Sequence, residues 1–142
     1  MDVVRSWMSA PAVCVLETAG LNVARRLMRM WQIRRLPVLD AVGRLVGIVT
    51  AGDVYHALER FKPPAGGLSH AHKVITTAVR EIMIRPVVTV APDTPVLEVA
   101  QLLLMRGIGA APVVERSQVI GIITESDLFR NLVTHMGNTR CP

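Results

Sequence analysis

Two stretches of this chain repeat one another without a gap: Val4 onward matches Val79 onward, so Met8 meets Met83, Pro11 meets Pro86, Val13 meets Val88 and Val15 meets Val90. The same offset of 75 residues pairs Leu27 with Leu102, Met30 with Met105, Ile33 with Ile108, and Pro37-Val38 with Pro112-Val113. The second copy then loses one residue, after which Gly47-Ile48-Val49-Thr50 meets Gly121-Ile122-Ile123-Thr124, and Asp53 meets Asp127. Any fold that accepts this chain is built twice from one pattern, with the single-residue difference in a turn.

Within each copy the pattern reads α-β-α-β-β-α. A short helical turn (Val3 to Met8, Val79 to Met83) ends at a proline-marked boundary. Val13 to Leu16 and Val87 to Val90 are short, apolar and β-branched, as buried strands are. In the helix that follows, Thr94 is expected as N-cap with Pro95 at the first helical position. Its inward stripe is Val99, Leu102 and Leu103, and in the first copy Ala24, Leu27, Met28 and Trp31. Leu36 to Leu39 with Leu45 to Val49, and Ala111 to Val114 with Val119 to Ile123, read as β-hairpins. A last helix begins at Thr50 or Thr124 and turns Val54, Ala57 and Leu58, or Leu128, Leu132 and Val133, to the core. The expected fold is α+β, of the α/β-related kind, with two pseudo-symmetric repeats, each a small three-stranded sheet with helices. Repeat 1 is placed at residues 1–60 and repeat 2 at 76–135, joined by a linker at 61–75 and followed by a tail at 136–142. A small sheet needs a second layer, so the copies are expected to pack on each other.

Composition narrows the function. Apolar residues make up 51% of the 142 and charged ones 19%, which is globular rather than disordered. The longest apolar runs fall short of the ~18 residues of a membrane span, and Asp2 and Arg5 interrupt the order of a secretory signal, so a cytoplasmic protein is expected. Cys14 and Cys141 lie far apart with no CxxC, which favours plain thiols over zinc or a disulfide. The net charge of +5 rests on 14 arginines spread along the chain, with two Trp, two Phe and one Tyr available to stack on bases, so nucleic acid is a weak expectation. His70 and His72 read as linker residues, with metal binding the alternative, and His56 and His135 have no partner the sequence can place. Nothing resembles a catalytic triad, and no enzyme is expected.

The chemistry concentrates where a strand feeds a helix, in Gly-apolar-apolar-Thr-x-x-Asp: Gly47 to Asp53 and Gly121 to Asp127. Thr-x-x-Asp is a variant capping box, and capping alone explains the spacing. The same geometry suits a ribonucleotide, since helix-start amides and a hydroxyl hold phosphate while a carboxylate accepts from both hydroxyls of a ribose. Both readings stand at this point.

With the Met-x-x-Pro segments (Met8/Pro11, Met83/Pro86), the Ile-x-x-apolar-Pro-Val segments (Ile33 to Val38, Ile108 to Val113) and this Thr-x-x-Asp close, all in order and twice, the chain from about Asp2 to His135 resembles a tandem pair of CBS domains, a Bateman module. The resemblance implies a regulatory module without an obligatory cofactor, holding an adenosyl ligand (AMP, ADP or ATP foremost, or S-adenosylmethionine) in clefts between the repeats. By that resemblance Asp53 and Asp127 bind the ribose diol, Thr50 and Thr124 face the phosphates, and Ser126 adds a hydroxyl. Val13 and Val88, beside Cys14 and Thr89, match the strand that meets adenine, and the segments before Pro37 and Pro112 form the other wall. Unequal sites are expected: Gly52 stands where Ser126 has its hydroxyl, while Arg34 and Arg35 stand where the second copy has Gly109 and Ala110 and no local cation. Those two arginines either balance a phosphate or are simply solvated. Asp127→Ala is expected to weaken nucleotide binding with little change in folding. The resemblance further implies a homodimeric disc of four repeats and a regulated protein acting in trans, with a ligand-free docking module as the alternative.

Overall fold

Branched apolar residues on either side of a polar turn form the two hairpins that organise the structure. The computed structural model describes residues 2–60 and 76–137. It divides into two units that cut across the repeats: a central one, Val13–Val87, and a split one, Met1–Ala12 with Val88–Pro142. The expected linker, with His70 and His72, and most of the expected tail, with Cys141, lie outside the described residues.

In the central unit, β1 (Val15–Leu16) runs parallel to β2 (Arg35–Leu39), which pairs antiparallel with β3 (Leu45–Thr50). The β2–β3 turn is built by Asp40, whose carboxylate accepts from the backbone amides of Val42 and Arg44 and from the Arg44 guanidinium. The Arg44 amide first, then the Arg44 side chain and the Val42 amide, hold the Asp40 carboxyl below its ordinary value. Gly43 completes the turn at φ +97°, a conformation that a Cβ disfavours. Helices α2 (Leu21–Trp31) and α3 (Ala51–Arg60) cover the sheet. The core is Val15, Ala24, Met28, Leu36, Val38, Val49, Val54 and Val79.

Val79 comes from the lead-in to the second repeat, a 3-10 turn at Val79–Glu81. That lead-in is stitched in by backbone bonds from Leu21 to Thr77, Val79 to Ala19 and Arg80 to Glu17, and by a reciprocal pair between Ile48 and Ile84. The split unit repeats the exchange. Its lead-in helix α1 (Val4–Trp7) belongs by sequence to the first repeat, yet Val4 is fully buried among Val90, Val99, Leu103, Ala111, Val113 and Ile123. Ser9 and Ile122 exchange backbone bonds as Ile84 and Ile48 do. Each hairpin therefore takes its edge partner from the lead-in of the other repeat.

The hairpin of the split unit is β4 (Ala110–Glu115) with β5 (Gln118–Thr124), flanked by α4 (Val96–Arg106) and α5 (Glu125–Gly137). The third strand expected at Val87 to Val90 shrinks to one parallel bridge, Val90 to Val113, held by two backbone bonds. Thr94 does not cap α4: the helix starts at Val96 with no side-chain cap, and the Val96 amide donates to the Asp2 carbonyl instead. The lead-in supplies the acceptor that a capping hydroxyl would have supplied.

Three expected core residues lie outside. Trp31 is 57% exposed, Leu132 48% and Val133 69%, while Leu21 is fully buried. A helical stripe fixes a residue's angle about the axis; it does not fix whether a neighbour covers that turn. No helix among the described residues is long and apolar enough to cross a membrane.

Gly121 shows how close the exchanged lead-in lies. A Cβ there would stand 2.8 Å from both the Ser9 carbonyl oxygen and the Met8 sulfur, whereas at Gly47 it would press chiefly on the flexible Met83 side chain, with the Ile84 carbonyl at 3.2 Å. Gly121→Ala should therefore cost about 1–3 kcal/mol and Gly47→Ala less, read as the difference in urea midpoints. Equal losses would mean that the two lead-ins press equally on their hairpins.

Candidate functional site

At each hairpin exit the chain passes from strand directly into helix, and the Thr-x-x-Asp segment makes the joint. In the central unit the Thr50 amide donates to Asp53 Oδ2 at 2.9 Å and the Asp53 amide donates to Thr50 Oγ1 at 3.1 Å. The split unit repeats this with Thr124 and Asp127 at 2.9 and 3.2 Å, and Thr124 Oγ1 also donates to Asp127 Oδ2. Both are capping boxes, so the structural reading of the motif is realised. The first amide of each helix is also engaged, Ala51 with the Arg34 carbonyl and Glu125 with the Gly109 carbonyl. Among the described residues the amides of Gly52 and Ser126, between the two bonded ones, have no backbone acceptor outside their own helix.

Capping uses one oxygen of each carboxylate, and the two units part company over the other. Asp53 is half-buried and its Oδ1 has no partner among the described residues. Asp53 opens onto a groove it shares with His56, Glu59, Arg60, Glu81 and Ile82. Asp127 is 3% exposed, and its Oδ1 accepts from the Ser9 hydroxyl at 2.9 Å and from the Arg130 guanidinium at 3.3 Å.

The cations differ as well. Arg35 is the register partner of Thr50 across the β2–β3 ladder, and directly opposed residues project to the same face. Arg34 is exposed beside it, and among the described residues neither arginine is in an ion pair. Opposite Thr124 stands buried Ala110. The sequence expectation of no local cation in the second copy is corrected by Arg130, one helical turn after Asp127 and 70% exposed. An acid and an arginine three apart on a helix is a readable signal for this pair. Ser9, 118 residues from Asp127, gives none.

The remaining candidates sit around these joints. Val13 is half-buried against the central core, next to Cys14, whose thiol burial pushes up from its ordinary value. Val88 is half-buried, Thr89 and Ser126 are exposed, and Pro37 and Pro112 are fully buried within β2 and β4. Glu115, the last residue of β4, pairs with Arg5 at 2.7 Å. His135 stacks on Trp7 at 5.4 Å and lies 3.6 Å from Asp2. Among the described residues no group of three or more His, Cys, Asp or Glu could hold a metal ion.

The CBS domain family matches residues 4–60 and again 79–134. A CBS domain-containing protein of Dictyostelium discoideum is 31% identical over 131 residues, covering 92% of this chain and 90% of that protein. The L-aspartate semialdehyde sulfurtransferase of Methanocaldococcus jannaschii is 30% identical over the same share of this chain, but the match spans only 23% of that enzyme. Among solved structures, the CBS domain pair of protein MJ0100, in complex with 5′-methylthioadenosine and S-adenosyl-L-methionine, superposes with a TM-score of 0.80 at 29% identity, covering 95% of this chain and 98% of that one. With two successive family matches and a fold shared over nearly its whole length, the chain belongs to the CBS domain family, as a tandem CBS pair.

Proposed function

We propose that this CBS pair is a regulatory module that binds an adenosyl ligand, an adenine nucleotide foremost, at its Thr-x-x-Asp joints and signals the bound state to a separate protein. The observation that carries this is the Thr50 to Asp53 joint, where a carboxylate oxygen without a partner among the described residues and an arginine opposite the threonine meet at a helix start. The occupancy of the MJ0100 pair by two adenosyl compounds supports the ligand class.

In this reading Asp53 Oδ1 accepts from the ribose diol. Thr50, the Gly52 amide and Arg35, with Arg34 beside it, face the phosphate. Val13 and Val88, with Cys14 and Thr89, offer backbone polar groups to adenine, and the Arg34-Arg35 and Gly109-Ala110 segments give the facing wall. Thr124, Ser126 and Asp127 form the corresponding joint of the split unit.

Thermal unfolding against AMP, ADP, ATP, S-adenosylmethionine, NADH and a guanine nucleotide tests the ligand class, since binding to the native state raises the midpoint by mass action. An adenosyl-selective rise is the expected result, and no rise at millimolar ligand would sink the proposal. Arg35→Ala should weaken AMP about tenfold or more while leaving adenosine unchanged, because an arginine-phosphate bond contributes about 1.5–3 kcal/mol. Equal losses for both ligands would place Arg35 away from the phosphate.

A second copy of the chain is the further partner proposed. Leu97 and Leu104 on α4 and Phe129, Leu132 and Val133 on α5 are exposed apolar side chains of the split unit. The same face supports the alternative reading, a docking module whose ligand sites have lapsed.

A further inference from the structure

We infer that the two Thr-x-x-Asp joints are not equivalent sites: Ser9 and Arg130 form an internal latch on Asp127, so the ribose diol is taken at Asp53, while the Asp127 joint is held shut. This rests on the adenosyl reading and assigns its sites. In both units the carboxylate spends Oδ2 on capping its helix, which leaves Oδ1 as the acceptor for a diol. Asp53 Oδ1 has no partner among the described residues. On Asp127 that same oxygen already accepts a hydroxyl and a guanidinium hydrogen bond. A ligand hydroxyl there has to displace protein donors, not water alone.

The difference is written into the repeat. Ser9 corresponds to Ile84, which has no hydroxyl, and Arg130 corresponds to His56, which makes no bond to Asp53 among the described residues. Burial agrees, with Asp127 at 3% exposure and Asp53 half-open. Because Ser9 lies on the lead-in that also pairs with Ile122, opening the latch would loosen the segment that follows α1. Occupancy of the second joint would therefore be felt at the N-terminal lead-in, and occupancy of the first would not.

Calorimetric titration with AMP, and separately with S-adenosylmethionine, counts the sites. The intact chain should show one site, with any second at least about tenfold weaker, the equivalent of one charge-assisted hydrogen bond. Asp53→Ala should lose the strong site. Ser9→Ile with Arg130→His, which installs the corresponding residues of the central unit, Ile84 and His56, should bring the second site to within about threefold of the first. Two equal sites in the intact chain, retention of the strong site in Asp53→Ala, or no gain in the Ser9/Arg130 variant would each overturn the inference while leaving the adenosyl reading standing. If neither compound binds any variant, the adenosyl reading fails, and the latch is judged without ligand. Ser9→Ala should lower the thermal midpoint by about 3 °C in the intact chain and by almost nothing in the Asp127→Ala background, or in Asp127→Asn should the alanine chain not fold. Equal drops in both backgrounds would show that there is no latch.

Discussion

Asp127→Ala should destabilise the split unit by about 2–4 kcal/mol, whatever it does to a ligand. The sequence alone led to the opposite expectation, a loss of affinity with little change in folding. The structure places the Asp127 carboxylate almost out of water, accepting from the Thr124 amide and hydroxyl, the Ser9 hydroxyl and Arg130. Truncation uncaps α5, frees the lead-in at Ser9 and takes the common acceptor from the half-buried Thr124 amide and hydroxyl and from the exposed Ser9 and Arg130 side chains, so several bonds are lost at once. Asp53→Ala removes only a capping bond from a half-open site, for about 1 kcal/mol. Trp7 sits in the split unit and Trp31 in the central one, so Trp31→Phe leaves Trp7 fluorescence as the reporter for urea unfolding of the Asp127 joint. Equal losses for the two aspartates would mean that Ser9 and Arg130 contribute nothing at Asp127.

The contrast between those aspartates also marks where the sequence stops being legible. Both hairpins, the helices and the capping geometry of Thr-x-x-Asp are local patterns, each set by residues within a few positions of one another, and the structure contains them all. The exchange of lead-ins is different. Val4 and Val79 occupy the same place in the repeat, and an offset of 75 residues cannot tell whether each packs with its own hairpin or the other's. From that one fact follow the burial of Val4, the capping of α4 by the Asp2 carbonyl in place of Thr94, the closeness of Gly121 to Ser9, and the latch on Asp127. Trp31, Leu132 and Val133 escape for another reason. Their angles about the helix suit a core, but coverage by a neighbour is a tertiary property that periodicity does not carry.

Phe129→Glu should weaken self-association at least about a hundredfold. Leu97, Leu104, Phe129 and Leu132 share an apolar groove on α4 and α5, and the residues at the matching positions of the central unit make the twin face the poorer candidate for a contact with a second copy. Where the split unit has Leu97, Ala100 and Leu104, the central unit has Asn22, Arg25 and Arg29, with Arg26 beside them. Two copies meeting through the arginine face would oppose like charges, whereas two meeting through the leucine and phenylalanine face bury apolar surface at roughly 25 cal/mol per Å². In a two-fold contact every substitution acts twice, so one glutamate per chain places two desolvated carboxylates in the same interface. Sedimentation across a concentration series should show dimer for the intact chain and for Arg29→Glu, and monomer for Phe129→Glu. A monomer from the intact chain at high concentration would remove the self-association face. Loss of the dimer in Arg29→Glu alone would move the contact to the central unit, and with it the charge argument would fail.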